Sequence, residues 1–262
     1  KYYLQTSDID ASQTYSWSYR GWSPIGNSTV MFTGSYDGGG HEISDIYMNR
    51  LNESNIGFIG YSYGGRIRNL IVSDISVAGW DNTGALVGTN EASGTIDNCQ
   101  VTGRVFGSSS NTGGLAGYNN GATISESFSR ASVSGNYKVG GLVGWNNGNA
   151  RVSDCFSTGF VSGYETGGLL GANYSSTVSN SYWNTQTSGQ SGSSGGEGRT
   201  TTEMTWPYPV YSYLNWNWAD WIPDPAHSVN EGYPYLYFHI NDYTEIPGIA
   251  LAPAPADASL NI

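Results

Sequence analysis

Positive charge is scarce in this sequence. Ten Lys and Arg residues stand against 21 Asp and Glu, so the net charge is −11, and the lysines are Lys1 and Lys138 alone. Nucleic-acid-binding domains carry clustered positive charge, so the composition excludes a nucleic-acid partner. Charged residues of either sign make up only 12% of the chain. Solubility therefore depends on uncharged polar residues, which is typical of secreted and cell-surface proteins.

Long apolar runs are absent as well. No run approaches the roughly 20 residues that a membrane-spanning helix requires, so we expect no membrane span. No signal peptide is visible, and a chain that starts at Lys1 with the strand-like KYYLQT is consistent with a mature form that has lost its leader. The expected location is extracellular or on the cell surface.

Glycine and aromatic residues are abundant. The chain has 37 Gly, 20 Tyr and 9 Trp. This much glycine is typical of disorder, but disordered chains lack aromatic and β-branched residues, so the chain is expected to fold. The combination indicates an all-β protein with many tight turns.

A ten-residue segment recurs along the chain. TGGLAGYNNG at 112–121 returns as VGGLVGWNNG at 139–148 and as TGGLLGANYS at 166–175. Its leucines are spaced by 29, 27 and 27 residues, at Leu86, Leu115, Leu142 and Leu169. No unit shows the 3.6-residue apolar period of a helical repeat. Units that cannot bury their own apolar face must stack on the next, which predicts a β-solenoid with about 27–29 residues per coil.

Equivalent residues of neighbouring coils should form columns about 4.8 Å apart. A second apolar marker follows each repeated segment, including a weaker first copy at Phe58-Ile59-Gly60. These markers, which should fill the interior together with the leucines, are Ile67, Ile96, Ile124, Val152 and Val178. The repeated segments also share an asparagine, at Asn90, Asn119, Asn146 and Asn173. Stacked amides donate to one coil and accept from the other, so we predict a structural asparagine ladder.

The two cysteines lie in one predicted column. Cys99 follows Ile96 by three residues and Cys155 follows Val152 by three, with Ser127 of the coil between them. Two coil spacings of about 4.8 Å exceed the roughly 7 Å limit for the Cα atoms of a disulfide. We therefore predict two free, buried thiols.

The segments GALVG, GGLAG, GGLVG and GGLLG, each followed by a segment such as IDNC or VSDC, resemble the GLUG repeat, which is named for its Gly-Leu-x-Gly core. FTGSYDGGGHEISDIYMNR resembles the segment that often precedes such repeats, and TTTEM, a Trp cluster and NEGYPYL resemble the usual closing segment. The resemblance covers nearly the whole chain. It implies a right-handed parallel β-helix of a bacterial or archaeal surface or secreted protein, commonly adhesin-like, and no catalytic mechanism.

The predicted organisation has two parts. Residues 1–190 form the parallel β-helix, with N-terminal coils at 1–54 and GLUG-type repeats at 55–184. Residues 191–262 form the rest of a Gly/Ser loop that spans 185–199, an aromatic-rich C-terminal cap, and an extended Pro/Ala-rich tail. Thr200 to Glu203 has capping-box spacing and predicts a helical turn that Pro207 ends. We expect Trp216, Trp218 and Trp221 to cover the open end of the solenoid.

No residues stand out as catalytic or metal-binding. Parallel β-helices include polysaccharide lyases and hydrolases, but glycoside hydrolysis needs paired carboxylates. Glu126 and Asp154 share a column in adjacent coils, where they either share a cation or face water, and the solvated alternative is favoured. The three histidines show no metal spacing. We predict no enzyme, no cofactor and no metal.

Two aromatic columns leave a binding function open. Tyr118 and Trp145 should stack on adjacent coils and form a candidate glycan platform if exposed, or plain packing if buried. The column of Phe128, Phe156 and Tyr182 has the same two interpretations. Asn27 and Asn52 lie in sequons that glycosylation could use.

The sequence thus favours a non-catalytic extracellular structural or adhesive β-helix. Its expected partners are copies of itself, assembled into a filament, sheath or layer through the C-terminal tail, or a surface glycan. The alternative is a glycan-binding module or a β-helix polysaccharide-active enzyme.

Overall fold

A computed structural model describes residues 1–240 of the chain. The predicted tail, residues 246–262, lies outside the described residues. Between 1 and 240 the chain is a parallel β-solenoid with two short α-helices and two 3-10 helices, of which the first spans Ser12–Ser16 and the second Tyr237–Ile240. The all-β fold and its aromatic C-terminal segment agree with the prediction.

The N-terminal coils are irregular because they share little of the repeat sequence. Their strands are β1 (Tyr2–Leu4), β2 (Ile9–Asp10), β3 (Ser35–Asp37), β4 (Glu42–Ser44) and β5 (Tyr47–Asn49). β1 pairs with β3, and β2 pairs with β4. The strands β3, β4 and β5 all pair with the first long strand of the repeats, β7 (Arg66–Gly79). These coils therefore continue the same sheet as the repeats.

The repeats supply the regular coils. Their strands are β6 (Ile59–Tyr63), β7 (Arg66–Gly79), β8 (Thr83–Gly84), β9 (Val87–Glu91), β10 (Thr95–Gly113), β11 (Ala116–Asn120), β12 (Thr123–Ser125), β13 (Phe128–Ser129), β14 (Ser132–Gly140), β15 (Val143–Asn147), β16 (Arg151–Ser153), β17 (Phe156–Ser157), β18 (Val161–Ser162), β19 (Thr166–Gly167), β20 (Leu170–Asn173), β21 (Thr177–Ser179) and β22 (Tyr182–Asn184).

These strands form two sheets. Sheet B has five strands in the order β20-β15-β11-β9-β6, one from each coil. Sheet A has 18 strands and follows the coil around its corners, because long strands bend: β10 pairs in succession with β12, β13 and β14. Between Thr95 and Gly113 a single strand thus lines more than one wall of the solenoid.

The register of the coils follows the repeat. Ile96 pairs with Ile67 and with Ile124, and Val152 pairs with Ile124 and with Val178. The repeated leucines are fully buried and belong to the interior core. Aligned apolar residues therefore fill the inside of each coil, and burying them stabilises the stack by about 25 cal/mol for each Å² removed from water.

The segment predicted as a Gly/Ser loop is ordered structure that covers the C-terminal end of the solenoid. It contains α1 (Thr185–Ser188) and β23 (Glu197–Arg199), which pairs in parallel with β22. Ser193 Oγ accepts hydrogen bonds from the backbone N–H groups of Leu169 and Leu170, at 3.2 and 2.9 Å. Gly196 lies so close to Leu169 that a Cβ there would be 2.6 Å from its side chain. Small residues are thus needed for this segment to lie on the last coil.

We predicted that Trp216, Trp218 and Trp221 cover that end, and this prediction is wrong: they belong to a cluster on the outer wall. They follow α2 (Thr201–Met204), which has the predicted capping box, and lie near the antiparallel pair β24 (Trp221–Ile222) and β25 (Tyr235–Leu236). Trp216 and Trp221 pack on the outside of sheet A and form a second apolar cluster there, separate from the interior core. The cause is the row of Phe128, Phe156 and Tyr182 on that outer wall, against which these tryptophans bury apolar surface.

Candidate functional site

The predicted ladder residues lie on sheet B and point inward. Asn90 Nδ2 donates to Asn119 Oδ1 at 3.0 Å, Asn119 to Asn146 at 2.8 Å, and Asn146 to Asn173 at 2.9 Å. The first three side chains are fully buried. Each amide therefore bonds the next coil, and the repeat holds itself together without any ligand.

Two further amide rows were missed by the sequence analysis. Asn111 donates to Asn82 at 2.7 Å and Asn82 to Asn55 at 3.0 Å, and all three have positive φ, which asparagine tolerates better than most residues. In the third row, Asn98 donates to Asn69 at 2.8 Å. The available signal was an asparagine directly before Thr-Gly in each of two repeats, at 82 and 111.

Both cysteines are buried free thiols that face the interior. Each thiol donates to a nearby backbone carbonyl: Cys99 Sγ to Asp97 O at 3.2 Å and Cys155 Sγ to Ser153 O at 3.0 Å. Burial raises the pKa of both thiols well above the ordinary value. They are therefore protonated and unreactive at neutral pH.

Tyr118 and Trp145 stack on adjacent coils of sheet B. Their ring centroids are 4.8 Å apart with an interplanar angle of 29°, and both side chains are half-buried. Because the centroid distance is about one coil spacing, the ring faces point along the solenoid axis. Lys138 Nζ lies 3.5 Å from the Trp145 ring centroid. Tyr118 and Lys138 thus both lie against the Trp145 ring, whereas stacking of a sugar needs a free face.

The other aromatic column lies on the outer wall of sheet A and is buried there. Phe128 and Phe156 stack at 4.6 Å with nearly parallel rings, and Tyr182 pairs with Phe156 in the next coil. Trp216 and Trp221 lie 6.1 and 5.7 Å from Phe156. This column is the surface on which the C-terminal aromatic segment, residues 206–238, packs.

Polar contacts fix the same segment on the solenoid. Arg130 donates to Asn230 Oδ1 at 2.8 Å and pairs with Glu231 at 2.5 Å. Tyr233 Oη accepts from the buried Asn184 at 2.7 Å. Such directional contacts set the position of the segment, while its aromatic rings supply most of the buried area.

A buried carboxylate organises the loop at the far end of this segment. Asp224 is 2% exposed and accepts from the backbone N–H groups of Ser228, Val229, Asn230 and Gly232. Burial opposes ionisation of this group, but the four amide donors outweigh it and lower its pKa. The loop is therefore held by a charge that four backbone dipoles satisfy.

The carboxylates of Glu126 and Asp154 were predicted to face water or a cation. Glu126 is half-buried, and burial together with the negative charges of Asp220, Asp97 and Asp154 raises its pKa to about 7. Among residues 1–240, no group of three or more His, Cys, Asp or Glu side chains is arranged to hold a metal ion. The raised pKa thus follows first from burial of the Glu126 carboxyl and then from the neighbouring negative charges.

Both predicted glycosylation sites lie on the surface of the protein. Asn27 and Asn52 are both exposed, and Asn27 Oδ1 accepts from the backbone of Thr29 and Val30 in a tight turn. No helix within the described part of the chain is long and apolar enough to cross a membrane.

Comparison with known proteins identifies the repeat. The family model of the GLUG motif matches residues 82–105 and 135–162. Halomucin of Haloquadratum walsbyi is 38% identical over 122 residues, which cover 44% of this chain and 1% of that protein. A "Putative Gly-rich membrane protein" of Evansella cellulosilytica is 35% identical over 105 residues, 38% of this chain and 12% of that protein. The resemblance to GLUG repeats is thus confirmed, and the chain spans a small part of the length of these relatives.

A solved structure shares the fold. The crystal structure of a "putative immunoglobulin A1 protease" from Bacteroides ovatus matches with a TM-score of 0.65 and covers 90% of this chain and 86% of that one. The two sequences are 19% identical. This likeness concerns the fold alone.

Proposed function

We propose that this chain is a structural module of an exported surface protein, and that copies associate through the first coil. Its similarity to halomucin and to a protein named as a membrane protein supports a place at the cell surface. The scarcity of charged residues, 12% of the chain, supports the same location.

A structural rather than catalytic role follows from how the repeats use their residues. Each coil contributes a leucine, a β-branched residue and an amide to columns that contact only neighbouring coils. Such columns build a rigid rod. The ladder amides bond neighbouring coils, and the two buried thiols donate to backbone carbonyls.

The observation that carries self-association is the edge of the first coil. Within residues 1–240, β1 and β2 pair on one side only. Their apolar side chains are exposed to an unusual degree: Tyr2 59%, Tyr3 46%, Leu4 55% and Ile9 45%. An unpaired, apolar strand edge is a template for pairing with another strand. The opposite end of the solenoid is covered by the Gly/Ser segment, so the two ends are not complementary.

The partner that we propose for this edge is a second copy that presents the same edge. Two β1 strands related by a twofold axis run antiparallel and continue sheet A from one copy into the other. This contact is closed and gives a dimer. A filament, sheath or layer needs a further contact, and residues 246–262, which the sequence analysis assigned to that role, lie outside the described residues.

The test is the solution mass of the chain by light scattering. Tyr3→Lys/Leu4→Lys places like charges on both sides of the proposed contact and should convert a dimer into a monomer with unchanged circular dichroism. Leu214→Lys, an equally exposed position at 60% in the C-terminal aromatic segment, is the matched control and should stay dimeric. A wild-type chain that is monomeric throughout the accessible concentration range would contradict the proposal.

A further inference from the structure

A cleft lies between the outer wall of sheet A and the C-terminal aromatic segment. Its volume is about 340 Å³, near the lower end of the range of small-molecule sites. The floor is formed by Ile71, Gln100 and Phe128, which are neighbours in one column of sheet A. One rim is supplied by Asp8 and Glu42 of the N-terminal coils, and the opposite rim by the C-terminal segment.

The floor of the cleft is apolar except at Gln100, which is polar. Its column is apolar on both sides, with Ile71 in the preceding coil and Phe128, Phe156 and Tyr182 in the following ones. Gln100 is 9% exposed, and its Oε1 has no hydrogen-bond partner among residues 1–240. The Oγ of Ser73, which also lines the cleft, likewise lacks a partner among these residues.

An unpartnered buried amide is costly to the free protein. Burial of a polar group without a hydrogen bond opposes folding, and an apolar side chain at position 100 would continue the column on either side. A residue that costs stability at the floor of a cleft indicates a binding role. A hydrogen-bond donor on a ligand in the cleft would supply the partner that Gln100 Oε1 lacks.

The other lining groups define the chemistry of that ligand. The rim carboxylates of Asp8 and Glu42 disfavour an anion, and the guanidinium of Arg130 is already paired with Glu231. Thr102 Oγ1 accepts from Asp74 N at 3.0 Å, so its hydroxyl hydrogen remains to be donated. The cleft thus combines amide, hydroxyl and carboxylate groups with an apolar floor.

We propose that this cleft binds a neutral sugar unit of one or two rings. A sugar ring carries hydroxyl groups that both donate and accept, and it has an apolar face of C–H groups. Ile71, which lines the cleft above the buried Phe128, fits that face, while Gln100, Ser73 and Thr102 fit the hydroxyls. The inference goes beyond the proposed structural role and does not depend on dimer formation, because the floor of the cleft is formed by Ile71, Gln100 and Phe128, which lie outside the first coil.

The experiment follows the side-chain amide of Gln100 by NMR in the isotope-labelled full chain. The probes are glucose, galactose and mannose and the disaccharides maltose, lactose and cellobiose. At least one probe should shift the Gln100 amide and the backbone amide of Thr102 in a saturable manner. Glucuronate, the anionic counterpart of glucose, should bind more weakly than glucose because of the acidic rim.

Two variants separate binding from folding. Gln100→Met keeps the size of the side chain and removes the amide, so it should melt no lower than the wild type and bind the sugar at least about tenfold more weakly. Ser73→Ala serves if the first variant misfolds, and it should weaken binding as well. Tyr118→Ala changes the stacked pair on sheet B and should bind as the wild type does.

Three results would overturn the proposal. None of the six sugars shifts the Gln100 amide, or Gln100→Met binds as tightly as the wild type, or Tyr118→Ala abolishes binding while Gln100→Met retains it. The last result would place the sugar on the stacked pair instead. A monomeric wild-type chain that still binds sugar at Gln100 would reject the dimer and leave this inference intact.

Discussion

Two columns of side chains run across the coils and differ in how much they repeat. The interior column of sheet B consists of Asn90, Asn119, Asn146 and Asn173, each bonded to the next. The outer column of sheet A changes from coil to coil and contains Glu42, Ile71, Gln100, Phe128, Phe156 and Tyr182. Both columns belong to the same coils.

The difference follows from what each column contacts. An interior residue meets its own equivalent in the next coil, so one residue type satisfies every position. An outer residue meets the C-terminal segment, which does not repeat, so each position faces a different partner. In this solenoid, repetition therefore marks structure, and variation within a column marks contact with something else.

The largest expected effect comes from removing the centre of the outer column. Phe156 is fully buried and packs against Phe128, Trp216, Trp221 and Tyr233. Phe156→Ala should cost about 3–5 kcal/mol and release the C-terminal segment first. Tryptophan fluorescence should then change at a lower urea concentration than far-UV circular dichroism.

The control for that variant is Phe160→Ala. Phe160 is 55% exposed, and its replacement should leave both transitions close to those of the wild type. If Phe156→Ala shifts fluorescence and circular dichroism together, the segment is part of one cooperative unit with the coils.

The interior column is broken by Asn119→Ala. The change strands the donor of Asn90 and the acceptor of Asn146, and each buried group left unpaired costs about 1–3 kcal/mol. The loss of unfolding free energy should be about 2–4 kcal/mol, measured by urea denaturation followed by circular dichroism. Asn120→Ala is the control, because Asn120 is next in sequence and its side chain lies on the other face of the strand. Its loss of unfolding free energy should be well under half that of Asn119→Ala.

The Asp224 carboxylate, which holds the loop of the C-terminal segment, should stabilise the protein in a pH-dependent manner. The pKa of Asp224 is lowered in the folded state by four backbone donors. Its contribution is therefore complete above the unfolded-state pKa of about 3.9 and is lost as the pH falls through the folded-state pKa. Asp224→Asn should cost about 1–3 kcal/mol at neutral pH and progressively less under acid. An equal cost at all pH values would show that the charge itself contributes nothing.

The smallest effect is expected at Glu126, where the sign is opposite. Burial and nearby carboxylates raise its pKa to about 7, so the ionised form opposes folding above that pH and the penalty disappears as the pH falls. Glu126→Gln should stabilise the protein in mildly alkaline solution by less than about 1 kcal/mol, because solvent screens a half-exposed group. A destabilising effect there would show that the carboxylate is held by a cation or a donor.

The regular coils could be predicted because their interior columns repeat in the sequence. The spacing of Leu86, Leu115 and Leu142 gave the coil length, and the asparagine positions gave the ladder residues. The side chains on the outer wall do not repeat, so the sequence does not show that Trp216 and Trp221 pack on Phe156. Their aromatic character alone suggested that they cover the end of the solenoid. Gln100 was overlooked for the same reason, since its column is not uniform and its burial depends on a segment more than a hundred residues away.

The most direct test of this contrast is native-state hydrogen exchange along residues 1–240. The coils hold themselves together while the C-terminal segment is a separately docked cover, so the amides of β9, β11 and β15 should exchange only by global unfolding. Amides of residues 206–236 should exchange through a local opening of lower free energy, further lowered by Phe156→Ala. A single exchange free energy for both regions would contradict the account.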